Sequence, residues 1–322
     1  MKVVTFGEIM LRLNPRGYER FLQAESFVAS YAGSEATVAV DLCALGVNAE
    51  FVTRVPAHEI GEAALGALRR YGVSVAHCAR GGERLGIYFL EKGASQRGGK
   101  VIYDRAGSAI ATAPRDAFDW REILSGADWF HISGITPAPS PTLFDACLDA
   151  ASVAKELGVT VSMDLNYRAK LWSYEQAREA YRALLPYVDY CKDPLDYGDG
   201  EADPAALASR MIQDFSLRAV AITNRHVKSA SDHTWSATVY TADGAFSSRE
   251  YALHVVDRVG GGDSFTAGWI YALLHGMPAD EAVELATAAS AIKHSIEGDY
   301  NLTSIDEVMA LLAGGAAGRV QR

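Results

Sequence analysis

The 322-residue sequence predicts an α/β protein built on a doubly wound, mostly parallel sheet, with a small β-sheet set apart from it. Three observations predict this. From Ala127 onward, short apolar runs alternate with segments of helical period, the rhythm of successive βαβ units. The chain opens on a short β-branched run, Lys2 to Gly7, ended by glycine as a buried strand is. Two further strand-like runs, Leu85 to Glu91 and Lys100 to Arg105, flank a glycine-rich stretch and read as an antiparallel hairpin.

The remaining elements follow in order. Ser34 to Leu45 has helical spacing, with Ser34 as the N-cap and Gly46 as the stop. Phe51 to Val55 reads as a strand, and Ile60 to Tyr71 as a helix ended by Gly72. The alternating half predicts strands at 127–132, 159–165, 187–191 and 218–223, with helices at 140–157, 174–185 and 203–214. Two more strands, Thr234–Thr241 and Ser247–Val256, precede helices at about 263–275, 279–295 and 304–313. One domain over residues 1–312 is expected, with the small sheet drawn from about 8–30 and 85–106 and a frayed tail at 313–322.

Composition narrows the function. Hydrophobic residues make up 49% of the chain, enough for a large core. The net charge of −10 and the lack of a basic block argue against a nucleic-acid partner. Cys43, Cys78, Cys147 and Cys191 are far apart and form no C-x-x-C, so buried thiols of a cytoplasmic protein are expected rather than a disulfide framework. The N-terminal apolar run is broken by Gly7, Glu8 and Arg12, unlike a signal peptide, and no apolar stretch is long enough to span a membrane.

The stretch VVDRVGGGDSFTAGW carries the chemistry. Gly260, Gly261 and Gly262 lie between a strand and a helix, where glycine adopts positive φ and exposes backbone N–H groups. The helix start adds unpaired amides and a positive dipole end. Together they form a nest for an anion such as a phosphate. Asp263 stands beside that anion as a base for an attacking hydroxyl. The same stretch also reads as a glycine turn with Asp263 as N-cap. Neither a P-loop nor a dinucleotide G-x-G-x-x-G is present.

A second group is Tyr88, Tyr103, Arg105, Asp164, Asn166 and Arg168. Asn166 and Arg168 follow a parallel strand, where ligands of open α/β sheets bind. Two arginines and two tyrosines suit a polyol that bears a carboxylate. Each arginine taken singly also reads as a solvated surface charge.

The blocks VVTFGEIMLRLNP, YAGSEATVAVDLCALG, VIYDRAGSA, DLNYRAKLW, DRVGGGDSFTAG and AASAIKHSIEGDYN resemble those of the PfkB (ribokinase-like) carbohydrate kinases, most closely the 2-keto-3-deoxygluconate kinases. The resemblance implies a Rossmann-like α/β/α body with a small β-lid, ATP as phosphoryl donor and Mg²⁺ as its partner ion. It places Asp263 on the catalytic base and Gly260, Gly261 and Gly262 on the anion hole. It places Gly33, Tyr88, Tyr103, Arg105, Asn166 and Arg168 around the sugar acid, and Thr223 and Asn224, with Gly260 and Gly262, on the nucleotide side. Phosphorylation of the primary hydroxyl of a 2-keto-3-deoxy sugar acid follows. The open edges of such a lid also suggest a homo-oligomer.

The chain departs from the family pattern at Ala32-Gly33, Thr37 and Val55-Pro56-Ala57-His58, and at Thr223-Asn224-Arg225-His226. The N-x-x-E motif, which organises hydrated Mg²⁺ near the phosphates, is replaced by CKDPLD. Lys192 stands for its Asn and Leu195 for its Glu, and Asp193 and Asp196 are nearby carboxylates. No residue set for the metal is assigned. Two alternatives stand beside the sugar-acid kinase: a kinase for a neutral sugar or nucleoside, and a binding protein with impaired catalysis.

Overall fold

The computed structural model describes residues 1–314. The N-terminal half runs β1 (Lys2–Phe6), β2 (Met10–Asn14), β3 (Val28–Ala32), α1 (Ser34–Ala44), β4 (Asn48–Val52), β5 (Arg54–Val55), α2 (Glu59–Arg69), β6 (Ala79–Arg80), β7 (Gly86–Glu91) and β8 (Lys100–Asp104). It continues through α3 (Trp120–Ile123), β9 (Trp129–Ser133), α4 (Pro141–Glu156), β10 (Thr160–Asp164), α5 (Tyr174–Leu184), β11 (Tyr190–Lys192) and α6 (Pro204–Phe215). The rest is β12 (Ala219–Val227), β13 (Asp232–Thr241), β14 (Gly244–Ser247), β15 (Tyr251–His254), α7 (Gly261–Leu274), α8 (Ala279–Lys293) and α9 (Ile305–Leu312).

The main sheet has nine strands in the order β14-β13-β12-β11-β10-β9-β1-β4, with β15 also on β13. From β4 to β12 every pair is parallel, and β13 turns back antiparallel on β12. Helices cover both faces because strand side chains alternate. Val4 and Phe6 point into a core shared with α4, α5 and α6, whereas Val3 points to the core under α1, α2 and α7. Each such fully buried side chain contributes about 1.5–3 kcal/mol. A four-stranded sheet, β3-β2-β7-β8, stands apart as the lid, with β7 and β8 forming the expected hairpin.

Three details differ from expectation. Gly33, not Ser34, is the N-cap of α1, and no side chain caps that helix. The Ser34 hydroxyl is committed elsewhere, to Asp263. The expected strand Ser247–Val256 is split into β14 and β15, because the pairing register against β13 shifts by one residue between Ser247 and Tyr251, the signature of a bulge. β12 extends to Val227 because a long hairpin with β13 satisfies its backbone. The tail expected at 313–322 lies outside the described residues from 315 onward.

Candidate active site

Parallel pairing brings the carboxyl ends of β1, β10 and β11 to one edge of the sheet, and the site is built there. β10 ends at Asp164 and β11 at Lys192, directly opposite each other. β1 runs into Gly7 and Glu8 on its way to the lid.

The glycine run enters from β15. Gly260 has φ 84°, and a β-carbon there would lie 1.9 Å from the Asp299 carbonyl oxygen, so only glycine fits. The Gly261 amide turns back to the Arg258 carbonyl at 3.3 Å. The amides of Gly262 and Asp263 have no acceptor among the described residues, which leaves an open two-donor nest. The nest is rigid. Ser290 Oγ donates to the Gly261 carbonyl at 2.6 Å, and Gly268 lets α7 lie against α8 with no room to spare at Ala286.

Asp263 sits in the first turn of α7, half-buried at the floor of a cleft of about 360 Å³. Burial pushes its carboxyl up to about 7; the Ser34 hydroxyl bond and Lys192 pull the other way, and Asp164 and Glu35 add to the rise. Ser34 Oγ donates to Asp263 Oδ1 at 2.6 Å. A carboxylate whose proton affinity falls near neutrality matches the demand on a general base.

The same cleft is lined by Gly33, Tyr88, Tyr103, Arg105, Asn166 and Arg168 along with Asp263. The structure therefore brings together every residue that the sequence placed around the acceptor. A β-carbon on Gly33 would lie 1.8 Å from the Glu8 carbonyl oxygen, so glycine is required for close backbone contact although its backbone is extended. Arg105 Nη2 donates to the buried Glu8 carboxylate, and its guanidinium lies 6.0 Å from the Tyr103 ring centre. Arg168 is exposed at the rim; its Nη1 donates to the Tyr167 carbonyl at 3.3 Å and, among the described residues, it has no carboxylate partner. Asn166 takes φ 40°, which turns the chain after β10, and its amide donates to Asp164 Oδ1 at 3.1 Å.

Thr223 and Asn224 lie on β12 opposite Ala237 and Ser236 and line neither this cleft nor the next. A second depression of about 350 Å³ lies on the other side of Val259. Lys92, His233 and Arg258 line it, between the lid hairpin and the β12–β13 turn. Val259, just ahead of the glycine run, lines both clefts.

Several residues of the site escaped the sequence reading. Arg12 on lid strand β2 is 1% exposed and reaches Asp299 at 2.5 Å and Asp257 at 2.8 Å. Burial alone would lower its proton affinity, but Asp299 and Asp257 more than offset that and raise it. Asp299 also accepts from Tyr88 Oη at 2.8 Å, and Asp257 Oδ1 accepts from the Val259 amide at 3.1 Å. Arg12 therefore ties the lid to the segment that enters the nest. Glu35 is buried behind the site, accepting from Ser133 and Thr136, and burial raises its carboxyl above the usual range. Asp299 lay within the quoted EGDYN block and Glu8 within FGE, but no spacing rule marked either.

The nest fits a phosphate. No cluster of three metal-ligating side chains exists among the described residues. An ion carried on phosphates needs only one or two carboxylates, and Asp193, partly exposed beside Lys192, is a carboxylate near the nest.

A doubly wound sheet with a free-amide nest, a near-neutral carboxylate and a lid-covered cleft carrying two arginines fits a phosphotransferase acting on a small alcohol. The family comparison agrees: residues 1–196 and 200–305 match the pfkB family carbohydrate kinases, and the chain belongs to that family. The chain is 35% identical over 321 residues to a 2-dehydro-3-deoxygalactonokinase of Haloferax volcanii, covering 98% of each. It is 28% identical over 307 residues to a 2-dehydro-3-deoxygluconokinase of Bacillus subtilis, covering 94% of this chain and 92% of that one. The crystal structure of a 2-dehydro-3-deoxygluconokinase from Thermotoga maritima superposes with a TM-score of 0.93 at 46% identity, covering 98% of both chains. The ribokinase-like fold and the kinase class expected from the sequence hold. Among the described residues no helix is long and apolar enough to cross a membrane.

Proposed function

We propose that the protein transfers the γ-phosphoryl group of ATP to the primary hydroxyl of a 2-keto-3-deoxy sugar acid. The observation that carries this reading is the single cleft in which Asp263 shares walls with Arg105 and Arg168. An acidic protein that binds an anion needs local cations, and a bidentate guanidinium suits a carboxylate. The named relatives act on acids of this kind by their names.

On this reading the sugar acid lies with its carboxylate toward Arg168 and Arg105, and its hydroxyls toward Tyr88, Tyr103, Asn166 and the Gly33 backbone. Its primary hydroxyl reaches Asp263, which accepts the proton as the oxygen attacks phosphorus in line. The bond from the γ-phosphorus to the bridging oxygen breaks, and ADP leaves with that oxygen. The Gly262 and Asp263 amides hold the transferring group, with Gly260 and Gly261 shaping the turn. Because such transition states are loose, positioning and charge stabilisation matter more than base strength. The depression beside Arg258 takes the nucleotide, with Thr223 and Asn224 farther along β12. Asp193 would help hold Mg²⁺, which would supply charge neutralisation at the phosphates.

A coupled ADP-release assay over 2-keto-3-deoxygluconate, its galactonate epimer, fructose and ribose tests the reading. Turnover confined to the two acids is expected; preference for fructose or ribose overturns it. The cytoplasm suits the four free cysteines. Exposed Leu22, Phe27, Val28 and Ile102 on the lid support pairing with a second copy. Size-exclusion chromatography with light scattering, repeated on Ile102→Lys, tests that pairing.

A further inference from the structure

We propose that Lys192 is a resident cation of the phosphoryl site, whose ammonium contacts the transferring group and supplies charge that a kinase of this kind otherwise draws from its metal ion. The proposal rests on the kinase reading above but stands on separate geometry. Lys192 is 6% exposed at the end of β11. Its Nζ donates to Asp164 Oδ2 at 2.7 Å. Asp193 Oδ2, at 3.7 Å, is beyond hydrogen-bond length, so the ammonium keeps donor capacity.

A β-carbon on Gly262 would lie 3.5 Å from Nζ, which places the ammonium against the nest. Two unpaired amides, the positive end of α7 and a buried ammonium thus converge. Asp164 hydrogen-bonds the cation and Asp193 and Asp263 add attraction from nearby, yet among the described residues no other acceptor takes up its remaining N–H donors, which face the same space as the two free amides. The backbone around Lys192 is fixed: the Leu165 amide donates to its carbonyl at 3.0 Å, and the Asp193 amide donates to Ala221 at 2.9 Å. Asp193 is held at φ 68°, a strained conformation for a residue with a side chain.

The substitution pattern agrees with this geometry. Of the two positions that organise hydrated metal in the N-x-x-E pattern, one holds this lysine and the other holds Leu195, which is fully buried in the core. Where the resemblance implies two metal-facing polar groups, this chain carries a fixed cation and a packing residue.

The test compares the wild type, Lys192→Met, and Lys192→Met combined with Asp164→Asn, which avoids stranding a buried carboxylate. Calorimetry with tripolyphosphate, without metal, reads the phosphate site; calorimetry with 2-keto-3-deoxygluconate reads the acceptor site. Both variants are expected to lose about tenfold or more in tripolyphosphate affinity, as for loss of a charge-assisted contact, with sugar-acid affinity unchanged. Turnover is expected to fall about 100-fold. Tripolyphosphate affinity and turnover within twofold of wild type would overturn the proposal, as would parallel loss of sugar-acid binding in both variants, which marks a structural role. A wild type that turns over none of the acids defeats the kinase reading, while the tripolyphosphate comparison still decides Lys192.

Discussion

Ser34 and Asp263 meet at 2.6 Å, hydroxyl to carboxylate, across 229 residues of sequence. The first residue of α1 thereby touches the first turn of α7, and a group expected to cap its own helix instead hydrogen-bonds the carboxylate proposed as the base. Burial raises the Asp263 carboxyl to about 7, and this bond holds it below where burial alone would put it. The base form exists above that value, so kcat/KM should fall as pH drops through about 7. In Ser34→Ala the acidic limb should move upward by about one unit, because a hydrogen bond to the charged form is lost. A pH–rate profile checks both. Asp263→Asn should lower kcat by about 10²–10⁴-fold with sugar-acid affinity retained, measured by turnover and calorimetry.

Arg105 and Arg168 should contribute unequally. Arg105 is already engaged by Glu8, whereas Arg168 is exposed and, among the described residues, has no carboxylate partner. Arg168→Ala should raise KM for the sugar acid by about 10–100-fold, the loss of a charge-assisted bidentate contact, with a smaller change in kcat. Arg105→Ala should have the lesser effect on KM. Steady-state kinetics on both variants decides the order.

Arg12 should matter to stability more than its place in a lid strand suggests. Its replacement by Met leaves Asp299 buried with the Tyr88 hydroxyl and Asp257 with Lys92 at 3.9 Å, incomplete compensation that costs about 3–5 kcal/mol. Urea denaturation reads the loss. Adding Asp257→Asn and Asp299→Asn to the same variant should recover much of it, since the stranded charges are gone.

Gly33→Ala should fail for steric rather than conformational reasons. The new methyl would meet the Glu8 carbonyl oxygen at 1.8 Å. Overpacking of this kind costs about 1–3 kcal/mol, and because Glu8 holds Arg105, sugar-acid affinity should fall with stability. Thermal unfolding and calorimetry on the same preparation test the link.

The alternation of strands and helices from Ala127 was readable because each parallel strand is a short apolar run bounded by turns, and each helix shows a 3.6-residue period. The residues that share one cleft were readable as candidates because arginines, tyrosines and a glycine-led aspartate stand out in or beside strands. Arg12 was not. β2 buries Met10, Arg12 and Asn14 and leaves Leu11 and Leu13 half-exposed, so hydrophobic alternation points to the wrong face. Its partners lie 245 and 287 residues away, beyond any local rule. The role of Ser34 was misassigned for a related reason. A serine before a helical run is a good cap by local chemistry, and only tertiary contact reveals a stronger demand on its hydroxyl. Lys192 was visible as a substitution, but its distance from Gly262 was not.

The division of labour between α7 and the lid has a consequence for how such an enzyme changes. Asp263 and its amides are clamped in the body by Gly268 and Ser290, while Tyr88, Tyr103 and Arg105 ride on or beside β7 and β8. On the proposed reading, part of the acceptor contact thus lies on a piece of chain separable from the transfer apparatus, while Asn166 and Arg168 stay with the body after β10. A graft exchanging the β7–β8 hairpin with that of a relative should shift acceptor preference among acids still gripped by Arg168, onto an unaltered transfer apparatus, provided the graft keeps the Tyr88 contact to Asp299.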